Sequence, residues 1–389
     1  MTGARNDAVG AFATVAAEGT DPADVLAVVC WALRPRHSFD ALRRQARDRE
    51  PTDPDTSPSR AVAAAAGGPA TDLLAPAADV AAVWRRLGVR VALVGDPAYP
   101  RRLADGWPHT DAPTLLAWRG TPPGDGPAVA IVGARRASGY GSGVAAWLAE
   151  AAARAGARVV SGGATGVDAA AHEASLEEPG GTTVVLGCGH AVDYPRPHAR
   201  PGGLFDRVVD HGGTIVAELL PHQAVHPGTV RARNRIVAGL ADVVVVVEGG
   251  EHSGALLTAS AAADLGRGVL AVPGDVRAGG SAAPHRLLGE GAAPCTSPAD
   301  LLQCLGAERP HVEDRDAAAP VDPVSMLPAA VHDVLARSWP RPVRVDVLAD
   351  RCGLAPGRLL AALTRARVAG LVAESADGVR LRRPPAGDV

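Results

Sequence analysis

The chain has 389 residues, of which 47% are apolar and only 3% aromatic, and its 39 basic and 42 acidic residues give a formal net charge of −3. Every basic residue is an arginine. This length predicts two or three domains, and the apolar content is sufficient for a sizeable core. The charge excludes a uniformly cationic, histone-like protein but allows a local basic patch.

The cysteines show neither a CxxC motif nor zinc-type spacing, which excludes a disulfide framework and predicts no metal and no cofactor. No apolar run reaches the roughly 18–20 residues that cross a bilayer. Residues 8–17 weakly resemble the apolar part of a signal peptide, but Asp7 lies beside them. We therefore predict a cytoplasmic protein that contacts no membrane.

Two segments rich in Pro, Asp and Ala, at 50–70 and 307–324, have the composition of linkers. Residues 10–48 are predicted to be helical. The predicted organisation is a small helical N-terminal region with a linker (1–70), a large domain (71–303, with its core at 128–303), an acidic linker (304–323) and a C-terminal domain (324–389).

Short β-branched runs alternate with alanine-rich helical stretches in the middle of the chain. This alternation predicts a doubly wound, mostly parallel Rossmann-like sheet with helices on both faces. Several strands are apolar throughout, as expected when both faces are covered. The predicted strands are 129–132, 158–161, 183–186, 214–217, 243–247 and 269–272, and the predicted helices are 143–155, 167–175, 204–211, 230–240 and 255–265.

Glycine-rich turns follow several of these strands. The first runs from Gly133 through Arg135 and Arg136 to Gly141, and it leads into a helix whose free N–H groups suit an anion. The second runs from Ser161 to Asp168. Asp168 either caps its helix or serves the site, and His172 is either a packed helix residue or a ligand. Ligands of such sheets bind at the carboxyl ends of the strands, so these turns predict a shared anion-binding cleft.

Arginines are concentrated in the same region. Arg231, Arg233 and Arg235 alternate near a predicted helix start, where cations are unfavourable unless an anion is present. Up to seven arginines on an acidic domain favour polyanion binding over a solvated charged face. The set is Arg135, Arg136, Arg196, Arg200, Arg231, Arg233 and Arg235.

No Ser-His-Asp spacing, HExxH motif or Walker A motif is present. Asp168, Glu218 and Glu248 are the carboxylates expected near the cleft. They either form an acid/base pair for cleavage of an N-glycosidic bond or cap and brace loops. We predict no catalytic residue.

These motifs resemble, in order, those of the DNA-processing protein A family (DprA, also called Smf). The resemblance covers roughly residues 84–303. It rests on the segments VAIVGARRASGYG (129–141), VVSGGATGVDAAAH (159–172), VVLGCGHAVDYPRPH (184–198), RNRIVAGLADVVVVVEGGEHSGALLTA (233–259) and VLAVPGDV (269–276).

The resemblance implies an extended Rossmann-like fold, sequence-independent binding of single-stranded DNA, homodimerisation, and loading of RecA during natural transformation, without catalysis. The positions it implies for nucleic-acid binding, taken with Arg136 from the turn itself, are Gly133, Arg135, Arg136, Ser138, Tyr140, Gly141, Ser161, Gly162, Gly163, Gly166, Asp168, Arg196, Arg233, Asn234, Arg235, Glu248, Ser253, Gly254 and Thr258.

This chain departs from the family pattern just before Arg233. The family usually has a phenylalanine and a proline there, whereas this chain has Val230 and Arg231. A lost base–aromatic contact is worth roughly 1–3 kcal/mol and predicts weaker, more salt-sensitive binding. Leu287 and Leu288 fall in the region associated with the family's homodimer contact.

Two other functions remain open from the residues alone. One is a nucleotide N-glycosidase of the lonely-guy type, although the PGGxGTxxE motif is missing. The other is a sensor of small nucleotides that uses the same pocket.

The C-terminal domain is predicted to be winged-helix-like, with helices at 327–338, 345–349 and 356–369 and a hairpin at 371–381. Arg358, Arg365 and Arg367 lie on its third predicted helix. They either contact a DNA duplex or form the solvated face of a protein–protein module. The N-terminal region lacks the glycine turn of a helix-hairpin-helix, so we expect no DNA contact there.

Overall fold

A computed structural model describes residues 2–48, 56–105, 107, 110–306, 327–338, 341–354, 359–360, 362–363, 366, 371–375 and 378–381. The chain divides into two compact units, Met1–Arg309 and Pro310–Val389. The predicted boundaries at 70, 303 and 323 remain predictions. In the described part of the chain, no helix is long and apolar enough to span a bilayer.

The N-terminal region is helical, as the composition predicts. Its helices are α1 (Thr2–Ala13), α2 (Pro22–Leu33), α3 (Phe39–Asp48), α4 (Pro58–Ala66) and α5 (Leu74–Arg86). Phe12, Leu26 and Trp84 from these helices share one hydrophobic core with Leu116 and Trp118. Burial of such side chains contributes roughly 1.5–3 kcal/mol each, so this core fixes the helices against the larger fold.

The linker interpretation of 50–70 is wrong for α4. Pro58 stands at the first helical position, where its missing N–H costs nothing, and the hydroxyl of Ser57 accepts a hydrogen bond from the Arg60 N–H at 3.3 Å. Gly67, with φ of 74°, ends the helix. The proline and serine that resemble a linker in the sequence are therefore helix-start signals.

The larger unit is built on one nine-stranded sheet. Its elements after α5 are β1 (Val89–Leu93), α6 (Arg101–Ala104), β2 (Leu115–Gly120), β3 (Ala128–Val132), α7 (Gly139–Arg154), β4 (Arg158–Ser161), α8 (Val167–Ser175), β5 (Thr182–Val185), α9 (Arg196–Ala199), α10 (Leu204–Asp210), β6 (Thr214–Ala217), α11 (Pro227–Gly239), β7 (Val243–Val246), α12 (Gly254–Asp264), β8 (Gly268–Ala271), α13 (Ala282–Gly289), β9 (Ala293–Pro294) and α14 (Pro298–Cys304).

The strand order is β1-β2-β6-β5-β4-β3-β7-β8-β9. All neighbouring pairs are parallel except β1 with β2 and β2 with β6. The predicted mostly parallel, extended Rossmann-like sheet is thus confirmed. Strands β3, β5 and β7 are buried at every residue because helices cover both faces.

Strand β3 lies where the order of the strands in the sheet reverses, which is where ligands of such sheets bind. Val129 pairs with Val159 of β4 on one side and with Val243 of β7 on the other. The chain runs outward from β3 through β4 and β5 to β6, and then returns to β7 on the opposite side. This reversal of strand order opens a crevice at the carboxyl ends of β3, β4 and β7.

The smaller unit contains α15 (Ala329–Ser338), α16 (Val345–Cys352) and an antiparallel hairpin of β10 (Val372–Ser375) and β11 (Gly378–Leu381). Val331, Leu335, Leu348, Val379 and Leu381 form its core. Most of the predicted third helix, with Arg358, Arg365 and Arg367, lies outside the described residues, as does 307–324. The winged helix therefore stays a prediction.

Candidate nucleic-acid interface

Three glycine turns meet at the reversal of strand order. They follow β3, β4 and β7, and together with α11 they enclose a cavity of about 200 Å³. The helices α7, α8 and α12 begin at this edge of the sheet, and the partially positive first turns of α8 and α12 line the cavity. The predicted shared cleft is present at the predicted edge. Its lining residues include Gly133, Arg135, Gly162, Asp168, Arg233, Asn234, Ser253, Gly254 and Thr258.

The first turn is fastened from both sides. Ser138 caps α7, since its hydroxyl accepts a hydrogen bond from the Gly141 N–H at 3.0 Å. The N–H of Ser138 itself donates to the carboxylate of Glu248 at 2.9 Å. Glu248 lies so close to Gly141 that a side chain there would meet its carboxyl group. Glu248 therefore braces the turn from the end of β7.

Exposed arginines stand at the mouth of the cleft. Arg135 and Arg136 are both exposed, and the Arg135 guanidinium donates to the Tyr194 hydroxyl at 3.1 Å. Tyr194 belongs to the loop after β5, two residues before Arg196, which is also exposed. This hydrogen bond joins the first glycine turn to the arginine-bearing loop.

The first and second turns are locked together through the backbone. The Thr165 hydroxyl donates to the carbonyl of Arg135 at 3.0 Å, and the Val167 N–H donates to the carbonyl of Ala134 at 3.1 Å. Gly166 permits this approach because it has a φ of 83° and a Cβ there would meet the Arg135 backbone at 2.7 Å. Gly163, with φ of 69°, likewise has no room for a side chain beside Val184.

Arg233 lies beneath these turns. It is buried, and its guanidinium donates to the main-chain carbonyls of Gly162 and Val185 at the ends of β4 and β5. Burial lowers the pKa of Arg233, and the carboxylate of Asp168 opposes that shift. The neighbouring Asn234 amide donates to the carbonyl of Gly254 at 3.2 Å. These two residues of α11 thus hold the cleft together from below.

Asp168 and His172 have buried positions on α8. The carboxylate of Asp168 accepts from the Ala164 N–H at 3.2 Å, and burial raises its pKa while Arg233 opposes the rise. His172 Nδ1 lies 2.7 Å from the hydroxyl of Thr182, and burial lowers the pKa of the imidazole to about 3. The packed-helix interpretation of His172 is therefore the correct one.

The arginines of α11 do not converge on one point. The helix begins at Pro227 rather than near 230, so these residues lie in its second and third turns. Residues two apart on a helix point to different sides. Arg231 is exposed, Arg233 is buried under the turns, and Arg235 points to Glu218. The three side chains therefore do not lie together at the cleft, and the nucleic-acid-binding role of Arg233 and Arg235 stays a prediction.

Arg235 forms an ion pair with Glu218 through a single guanidinium nitrogen, Nη2. Its guanidinium donates to the two oxygens of Glu218 at 2.7 and 2.9 Å, and Asp40 of α3 lies 3.6 Å away. Burial opposes the charge on Arg235, but the two carboxylates outweigh it and raise its pKa. The pair joins the end of β6 and α11 to the N-terminal helices. No local signal in the sequence points to this contact.

The three carboxylates expected near the cleft each have a protein partner. Asp168 accepts from the Ala164 N–H, Glu218 from Arg235, and Glu248 from the Ser138 N–H. This favours their bracing role over an acid/base pair. Among the described residues, no three His, Cys, Asp or Glu side chains are grouped so as to hold a metal ion.

Leu287 and Leu288 lie on α13, and both contact the hydrophobic core. Leu287 is buried and Leu288 is half-buried, while Leu287 also lines a groove of about 460 Å³ between α12 and α13. The homodimer contact assigned to them stays a prediction.

The fold and the cleft define a class of protein: an extended Rossmann-like domain with a crevice at its switch point and exposed arginines at the mouth of that crevice. Comparison with known proteins makes the assignment specific. The family model for DNA recombination-mediator protein A matches residues 90–306. The chain belongs to the family of DNA recombination-mediator protein A, as the motifs predict.

Individual relatives agree with this family. The putative DNA processing protein DprA of Mycobacterium tuberculosis is 41% identical over 265 residues, which cover 67% of this chain and 66% of that relative, just under two thirds of its length. Protein Smf of Escherichia coli is 34% identical over 259 residues, covering 66% of this chain and 68% of that protein. The X-ray structure of DprA from Streptococcus pneumoniae superposes with a TM-score of 0.55 at 28% identity, covering 72% of this chain and 96% of that chain.

Proposed function

We propose that this protein binds single-stranded DNA without sequence preference at the switch-point cleft and passes the strand to a RecA-type recombinase. The observation that carries the proposal is the position of Arg135 and Arg136. Both are exposed on the turn that leads into α7, at the mouth of a crevice lined by the first turns of α8 and α12. Phosphate groups are bound by this combination of cations and helix N-termini.

The chemistry of the groups at the mouth of the cleft favours binding that is independent of DNA sequence. Arginine forks and backbone N–H groups contact phosphates, which carry no sequence information. The floor of the cleft consists of glycine, alanine, valine and bracing polar groups, which leave few side chains for reading base edges. The description of the family as a recombination mediator supports transfer to a recombinase.

We further propose that the role is binding rather than catalysis, that it operates in the cytoplasm during DNA uptake, and that the active form is a homodimer. The pairing of Asp168, Glu218 and Glu248 with other protein groups supports a binding role. The cavity of about 200 Å³ is smaller than the roughly 300–1,000 Å³ of pockets that enclose a small ligand, which favours a strand lying across the edge.

The test is fluorescence anisotropy with labelled single- and double-stranded oligonucleotides of scrambled sequence across a salt series. We expect tight, sequence-blind and salt-sensitive binding with preference for the single strand. Equal affinity for both forms, or no binding at low salt, would contradict the proposal. Transfer is tested by whether the protein accelerates RecA filament formation on a strand coated with single-strand-binding protein.

A further inference from the structure

Helix α7 presents two aromatic side chains to solvent. Tyr140 is 56% exposed and Trp147 is 41% exposed. They are seven residues apart, which on a helix of 3.6 residues per turn places them on the same side. The chain contains only 6 Trp, 3 Tyr and 3 Phe. In the part of the chain that the structure describes, these two are the only aromatics among the exposed large apolar residues.

The Tyr140 and Trp147 side chains border a pocket of about 250 Å³. The apolar side chains of Val144 and Leu148 from α7 and of Val272 and Pro273 from the end of β8 line it, together with Cys295 and Thr296. The Tyr140 hydroxyl donates to the carbonyl of Pro273 at 2.8 Å. This hydrogen bond holds the ring in place, so a ligand that stacks on it loses little side-chain entropy.

The pocket continues the proposed interface. Tyr140 is the second residue of α7, directly after the turn with Arg135, Arg136 and Ser138. Trp147 lies about 10 Å farther along the helix axis at 1.5 Å per residue. The other helices at the cleft, α8, α11 and α12, contain no aromatic residue. Among these helices, α7 alone offers an aromatic surface to a strand bound at this edge, and the nearby Tyr194 is half-buried with its hydroxyl engaged by Arg135.

We propose that Tyr140 and Trp147 form a stacking site for a nucleobase of the bound strand. The inference rests on the proposed function and adds a base-binding contact to it. The flanking arginines would hold phosphates while the apolar pocket receives the attached base, because every base has a flat face that stacks on an aromatic ring. Such a contact is sequence-tolerant, as the phosphate contacts are.

The experiment measures the affinity of full-length Trp147→Ala, Trp147→Phe and Tyr140→Ala for two oligonucleotides of equal length and charge, one with mixed bases and one abasic. We expect Trp147→Ala to weaken binding of the base-containing strand by about 5- to 150-fold, which corresponds to about 1–3 kcal/mol of stacking. Binding of the abasic strand should be unchanged. Trp147→Phe should retain most of the affinity because the aromatic face remains.

Leu257→Ala is the matched control, since Leu257 is 45% exposed on α12 and does not line the pocket. The salt dependence of DNA binding by Trp147→Ala should equal that of the wild type because the substitution removes no charge. If the wild type binds the strand but Trp147→Ala and Tyr140→Ala each change the affinity for the two oligonucleotides by the same factor, or change neither, the stacking site is refuted and the pocket has another occupant, such as a protein side chain. If the wild type binds no single strand, the proposed function fails and the stacking site with it.

Discussion

The guanidinium group of Arg233 occupies the space beside Gly162 into which any larger side chain would project. The contact is long-range, since Arg233 lies on α11 and Gly162 follows β4. It explains why a glycine and an arginine are needed together: the glycine provides the room, and its carbonyl accepts a hydrogen bond from the arginine. The shape of the cleft floor therefore depends on this pair.

Gly162→Ala tests that dependence. The added methyl group displaces the Arg233 guanidinium, and such overpacking costs typically about 1–3 kcal/mol in the free energy of unfolding. We expect this loss in urea denaturation, together with weaker binding of single-stranded DNA. The control is Gly143→Ala within α7, where a Cβ has no neighbour within 4 Å. Gly143→Ala should leave the free energy of unfolding equal to that of the wild type or raise it by up to about 1 kcal/mol. Equal stability of both variants would contradict the role of the pair.

Arg235→Ala should act on stability rather than on phosphate binding. Its side chain is 14% exposed and that of Glu218 is 11% exposed, so the pair is largely desolvated. Removing one partner of a buried pair costs about 3–5 kcal/mol because the other charge is left uncompensated. The exposed Arg231→Ala on the same helix should change the free energy of unfolding by no more than about 0.5 kcal/mol.

For Arg235→Ala, the salt dependence of DNA binding should match that of the wild type at temperatures where the variant is folded. Unchanged stability combined with a smaller salt slope would instead return Arg235 to the set of phosphate contacts.

Arg135→Ala should weaken binding of all DNA sequences about equally and reduce the slope of log affinity against log salt by about 1. The reason is the loss of one exposed cation at the mouth of the cleft. Arg154→Ala provides the control, because Arg154 is the last residue of α7, the helix that follows Arg135, and lies at the opposite edge of the sheet. Anisotropy titrations in a salt series give both slopes. Identical slopes for Arg135→Ala and the wild type would remove Arg135 from the interface.

Stability should fall with decreasing pH because of His172. Burial lowers the pKa of its imidazole from 6.5 to about 3, so the unfolded chain binds a proton that the folded chain does not. The stabilisation is therefore complete above pH about 6.5 and is lost as the pH falls toward about 3, at up to about 1.4 kcal/mol per pH unit.

Urea denaturation at pH 7.5, 6.0 and 5.0 measures this dependence. His172→Gln should reduce the slope between these pH values even where it lowers stability throughout, whereas the exposed His222→Gln should leave the slope as in the wild type. A slope that is the same in His172→Gln and in the wild type would show that other groups cause it.

The strands and glycine turns of the core could be predicted because their signals are local. The strands 158–161 and 214–217 and the helix 167–175 coincide with β4, β6 and α8 at both ends. Apolar runs of four to five residues ended by glycine have few alternatives in an alternating fold. Helix α4 was missed because a proline and a serine at a helix start have the same composition as a loop.

The sequence by itself determined the family, the alternation of strands and helices, and the edge of the sheet at which the glycine turns and arginines meet. Only the tertiary structure decided which arginines face solvent and which brace the fold. Arg135, Arg233 and Arg235 are chemically identical in the sequence, but the first is exposed, the second donates to Gly162, and the third pairs with Glu218. The physical reason is that burial and pairing depend on residues brought together from distant parts of the chain, whereas strand and turn signals lie within a few consecutive residues.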